Sequence, residues 1–120
     1  MGLFRRRSDA RQPGPRADRA ERRADRAHLE QFVATRRGVE GYVEPATVST
    51  PLTIVLVAHD GEWTRRRLGD PRLARELGEA LAIPVYDVAA TGYPPRMREW
   101  TARRKARGET GVPRSSRPPG

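Results

Sequence analysis

The chain has 120 residues, a net charge of +9 and no cysteine. That length leaves room for one domain, and the lack of thiols excludes disulfides, thiolate zinc or iron–sulfur sites and thiol redox catalysis. A hydrophobic fraction of 36% with 11 glycines and 11 prolines lies between a folded and a disordered composition, so a folded centre with poorly folded ends is expected.

The charge is divided in the same way. Residues 1–38 carry eleven arginines against five acids, residues 39–93 five against eight, and residues 94–120 seven arginines and Lys105 against two. A mildly acidic middle is thus flanked by two strongly basic ends. No apolar run approaches the ~20 residues needed to cross a bilayer. Met1-Gly2-Leu3-Phe4 runs straight into Arg5-Arg6-Arg7 without the apolar stretch of a secretory signal, and Arg6 stands where a myristoylation pattern wants Ser or Thr. A cytoplasmic protein without membrane attachment is the expectation.

In chain order, residues 1–15 read as a disordered basic tail that closes on Gln12-Pro13-Gly14-Pro15. Residues 16–37 read as a basic helix with a short internal repeat. Its 100° spacing puts Arg16, Arg19, Arg23 and Arg26 on one stripe, while Leu29, Phe32 and Val33 cluster in the last turns and should dock on the core. Gly38 ends it. Gly41–Thr50 reads as a strand broken near Pro45, Thr53–Ala58 as a strand buried on both faces, and His59-Asp60-Gly61-Glu62 as a turn leading into the strand Trp63–Leu68. Alternation there sets Trp63, Arg65 and Arg67 against Thr64, Arg66 and Leu68. Asp70 and Pro71 open a helix to residue 82 with Leu73, Leu77, Ala80 and Leu81 on its apolar face. Ile83–Val88 reads as the next strand, and the strand–helix–strand order over 63–88 suggests a crossover with two parallel strands. Gly92-Tyr93-Pro94-Pro95 launches a last helix to about residue 107, followed by a disordered tail at 108–120. The fold class expected is α/β (α+β). Residues 39–107 should form a small three- to four-stranded mixed sheet, with helix 70–82 on one face and the two basic helices docked at the edges.

Four features carry possible chemistry. In the last helix, Arg96, Arg103 and Arg107 share a band with Trp100 beside them and Lys105 nearby, so cations and an indole could meet phosphates and bases; alternatively Trp100 and Met97 are its buried face. Arg65 and Arg67, on either side of Arg66, either contact an anionic partner or guard an edge strand against sheet extension. His59, Asp60 and Glu62 stand at the end of the buried strand, where a ligand corner or a plain turn would fit. Tyr86, Asp87 and Tyr93 either line a pocket or pack the start of the last helix. Phosphate-binding glycine loops and nucleophile elbows are absent.

The stretches Val57–Arg67 and Ile83–Asp87, followed by Gly92–Met97, resemble a group of short uncharacterised proteins of high-GC Gram-positive bacteria, over about residues 38–105. Some members carry an oxidoreductase label, and the resemblance implies a lineage without a mechanism.

The function expected from the charge layout is that of a non-enzymatic accessory protein. It would contact nucleic acid or a ribonucleoprotein surface through Arg16, Arg19, Arg23, Arg26, Arg65, Arg67, Arg96, Trp100, Arg103, Lys105 and Arg107, with no cofactor or metal. The alternatives are an interaction module that docks on an acidic partner protein, and a small enzyme without a recognisable active-site motif.

Overall fold

The computed structural model describes residues 15–109, with side chains from Asp18 onward. The basic tails expected at the two ends therefore lie almost wholly outside the described residues. Helix α1 spans Pro15–Thr35 and is followed by β1 (Glu40–Glu44), β2 (Thr53–Val57) and β3 (Trp63–Arg67). Helix α2 (Pro71–Leu81), β4 (Val85–Asp87), the single turn α3 (Val88–Thr91) and α4 (Pro95–Ala106) complete the chain. The strands form one mixed sheet in the order β3-β2-β1-β4. β2 is antiparallel to both its neighbours, and β4 is parallel to β1. This is a small α+β fold, in agreement with the expected class.

Alternation along β2 sorts the core into two layers. Ile54, Leu56 and Ala58 meet Leu29 and Phe32 of α1 and Ala74 and Leu77 of α2. Val55 and Val57 point the other way, to Tyr42 and to Met97 of α4. The basic helices therefore take opposite faces of the sheet rather than its edges, with α1 sharing a layer with α2. The run Thr53–Ala58 has residues buried on both faces, as its continuous apolar pattern requires.

The expected strands 41–50 and 83–88 shorten to Glu40–Glu44 and Val85–Asp87, and the other two lose one residue each. β1 stops at Glu44 because Pro45 has no N–H to offer a ladder; beyond it the Thr47 side chain accepts from the N–H groups of Ser49 and Thr50 and closes a turn. The crossover joins two strands of the same direction, as expected, but the two do not pair. β3 and β4 run in the same direction but occupy opposite edges, so α2 carries the chain across two strands and β4 pairs with β1. The reason lies in two glycines. A β-carbon on Gly78 of α2 would sit 2.8 Å from Val85 Cγ2, and one on Gly41 of β1 would sit 3.3 Å from the same atom. Both bare positions leave the slot that seats Val85, and with it β4, against β1.

Helix α2 begins as its sequence dictates: the Asp70 side chain accepts from Arg72 N at 2.8 Å, and Pro71 supplies a pre-set φ. It ends on Ala82 in the left-handed region, φ 55° and ψ 46°. The turn α3 is not evident from periodicity; Asp87 caps it by accepting from Ala89 N.

Candidate functional site

The acids of α1 each hold an arginine. Asp18 pairs with Arg22, Glu30 with Arg26 at 2.8 Å, Glu21 with Arg67 at 3.4 Å and Asp25 with Arg66 at 3.5 Å. The last two tie the helix to β3, and His28 Nε2 lies 2.7 Å from the fully buried Thr64 Oγ1 on the same strand. Burial first, then the Arg66 and Arg36 charges, holds the His28 imidazole below its ordinary pKa. α1 is thus docked through its last turns, as expected, and also through Asp25 and Glu21 further up the helix. Of its expected stripe, Arg19 and Arg23 are exposed without a partner among the described residues and Arg26 is paired, while the Arg16 side chain lies outside the described side chains.

The arginines of β3 and α4 are mostly engaged within the fold. Arg65 grips Glu44 with two bonds of 2.8 and 3.0 Å, and the hydroxyls of Thr53 and Tyr93 donate to the same carboxylate. Burial pushes Glu44 up, but these donors outweigh it and leave its pKa below the ordinary carboxylate value. Arg96 reaches inward, donating to Ala58 O and to Glu40, both at 2.9 Å. Burial and the hydrogen bond to Glu40 push the Tyr42 phenol up to about 12. Arg103 donates to Asp60 O at 2.9 Å, and Arg107 pairs with Glu109 at 3.4 Å. Trp100 is half-buried beside the 58–62 turn, with Arg104 above its ring. The band of Arg96, Trp100 and Arg103 is therefore the side of α4 turned toward the protein. Lys105, and Arg98 which the sequence pattern did not single out, are its exposed cations without a partner among the described residues.

Of the concave surfaces among the described residues, two on opposite faces combine apolar walls with cations. The larger, about 530 Å³, runs between α1, α2 and the end of β3. Its floor is aliphatic, the half-buried Leu73 over the core side chains of Leu29, Leu68 and Leu77, and its rim is set with Arg19, Arg22, Arg23, Arg26 and Arg67. Asp25 and Glu30 also line it, each facing an arginine, and Arg22, Arg26 and Arg67 are likewise paired with acids of α1, so Arg19 and Arg23 are the rim cations without a partner among the described residues. The second, about 490 Å³, lies between α4 and the end of β3, walled by Trp63, Tyr93, Met97, Thr101 and Ala102 with Arg98 and Lys105 alongside. Arg22 falls outside the expected stripes, and Leu68, Leu73, Trp63 and Tyr93, each placed on its own element by the sequence, are brought together only by the packing of separate elements.

The other two corners resolve as structure. His59 and Asp60 are exposed, the Asp60 carboxylate accepts from Glu62 N, and Glu62 is held by Arg36 at 2.7 and 3.2 Å. Among the described residues no three His, Asp or Glu side chains gather in a metal-binding group. Tyr86 stacks on Tyr42 with centroids 5.5 Å apart and Tyr93 holds Glu44; the two tyrosines line one small concavity of about 220 Å³, while Asp87 caps α3 outside it. No described helix is long and apolar enough to cross a membrane. Comparison with family models, with curated proteins and with solved structures finds no match to this chain, so the two grooves stand on their own geometry.

Proposed function

We propose that the chain is a non-enzymatic accessory module that docks an acidic, amphipathic segment of a partner protein in the α1–α2 groove. The observation that carries this reading is the pairing of a leucine floor with an arginine rim in one concavity. Apolar side chains of a docking helix gain by leaving water there, and carboxylates on its flanks meet guanidinium groups. The aliphatic floor favours protein over nucleic acid, because it offers no ring on which a base could stack. The opposite placement of the two basic helices also argues against one continuous phosphate-binding face. The chain's own flanks do not complement the rim: residues 1–14 carry four arginines against Asp9, and residues 110–120 carry Arg114 and Arg117 without an acid.

A random peptide library displayed against the full chain tests this. Selection should enrich peptides with leucine-like residues at helical spacing and flanking Asp or Glu, and those peptides should lose most of their binding to the Arg19→Glu/Arg23→Glu variant. Enrichment of peptides without acids, or equal binding to that variant, contradicts it, as does the absence of any enriched sequence.

A further inference from the structure

We propose that the trough between α4 and β3 is a stacking site for single-stranded nucleic acid, independent of the groove on the other face. Its aromatic side chains are fixed in place by their polar ends. Trp63 Nε1 donates to Thr101 Oγ1 at 3.1 Å, and the Tyr93 hydroxyl donates to Glu44, which Arg65 also grips. The Arg65 guanidinium lies 5.1 Å from the Trp63 ring centroid. One network thus runs from Thr101 through Trp63 and Arg65 to Glu44 and Tyr93, and it leaves the rings little freedom to lose on binding.

The donors on both rings being occupied, what the trough offers a ligand is apolar ring surface. Tyr93 keeps 39% of its surface exposed. The polar groups left over are cations: Arg98 and Lys105 stand seven residues apart on α4, about 10 Å along the helix, with the small Ala102 between them opening the wall. The exposed Tyr93 ring and the half-buried Trp63, beside spaced cations without a partner among the described residues, suit a strand whose bases are splayed out and whose phosphates run alongside. An acidic peptide would use the cations but has no call on the rings. A duplex would present its phosphates but keep its bases stacked inside. With the donors of Trp63 and Tyr93 both committed inside the protein, base identity should matter little.

The test is a fluorescence titration of the full chain carrying Trp100→Phe, which leaves Trp63 as the sole indole. The probes are a single-stranded oligothymidylate, a duplex of the same length, and polyglutamate, each at several salt concentrations. Oligothymidylate should quench Trp63, with a log–log salt slope of roughly −1.4 for two phosphate contacts. Arg98→Glu/Lys105→Glu should weaken it about tenfold or more, while Arg19→Glu/Arg23→Glu on the opposite face should leave the quenching intact. The proposal is overturned if the single strand does not quench Trp63 at 50 mM salt, or if Arg98→Glu/Lys105→Glu has no effect. Equal response to the duplex reassigns the site to general phosphate contact, and equal response to polyglutamate reassigns it to an acidic protein; either result also overturns it.

Discussion

Gly61 lies directly beneath the backbone of Arg96: a β-carbon at Gly61 would overlap the Arg96 carbonyl and sit 2.8 Å from Trp100 Cβ. The same glycine has φ +98° and closes the β2–β3 turn by donating to Ala58 O. The turn geometry and the seating of α4 therefore depend on one residue. Gly61→Ala should cost about 2–4 kcal/mol, from the forced helix shift together with the unfavourable φ. Denaturant titration followed through Trp63 and Trp100 measures it, and an undocked α4 should also shift their emission to longer wavelength.

Ala82 presents the opposite case. It closes α2 in the left-handed region, where its β-carbon is a liability and nothing requires alanine. Ala82→Gly should stabilise the fold by about 0.5–1 kcal/mol. A rise in Tm without a change in the denaturant slope is the expected result.

Glu44 joins three elements by accepting from Arg65, Thr53 and Tyr93. Glu44→Ala leaves those donors to find water, and the exposure of Arg65 limits the penalty. A loss of about 1–2 kcal/mol is expected, with a smaller loss for Glu44→Gln. The same substitution loosens Tyr93, so oligothymidylate quenching in the trough should fall as well.

The loss of stability in acid follows from groups whose pKa values lie below their ordinary positions, opposed by Asp25, which burial raises. Burial and the Arg66 and Arg36 charges lower His28, so the unfolded chain takes up that proton first. Stability from His28 is complete above about pH 6.5 and declines as pH falls below it. Glu40 and Glu44 are lowered despite the opposing effect of burial, by Arg96 and Tyr42 in one case and by Arg65, Thr53 and Tyr93 in the other. Their contribution is complete above about pH 4.5 and is lost on further acidification. Thermal unfolding between pH 8 and pH 3 should show two successive declines, the first removed by His28→Gln.

Much of this fold is legible in the sequence because local rules dominate there. Asp70-Pro71 opens a helix, Asp60-Gly61 turns a hairpin, and Thr53–Ala58 can only be a buried strand. Alternation also assigns Arg65 and Arg66 to opposite faces, as their partners Glu44 and Asp25 confirm. What escapes local reading is long-range. The slot that Gly41 and Gly78 leave for Val85, which places β4 beside β1, is invisible until α2 and β1 are brought together. The candidate sites escape for the same reason. A helical wheel groups Arg96, Arg103 and Trp100 correctly, but cannot tell that their stripe faces Ala58 and Asp60, nor that Leu68 and Leu73 from different elements meet under Arg19 and Arg23.

The arginine-rimmed groove is the central claim, and charge exchange tests it most directly. A selected acidic peptide and a version with its Glu residues changed to Lys are titrated calorimetrically against the native chain and against Arg19→Glu/Arg23→Glu. The acidic peptide should bind the native chain and the lysine version the variant, each losing affinity in the mismatched pairing and with rising salt. If both peptides bind both proteins alike, or the lysine peptide fails to recover on the variant, the groove does not recognise its partner by charge and the account is contradicted.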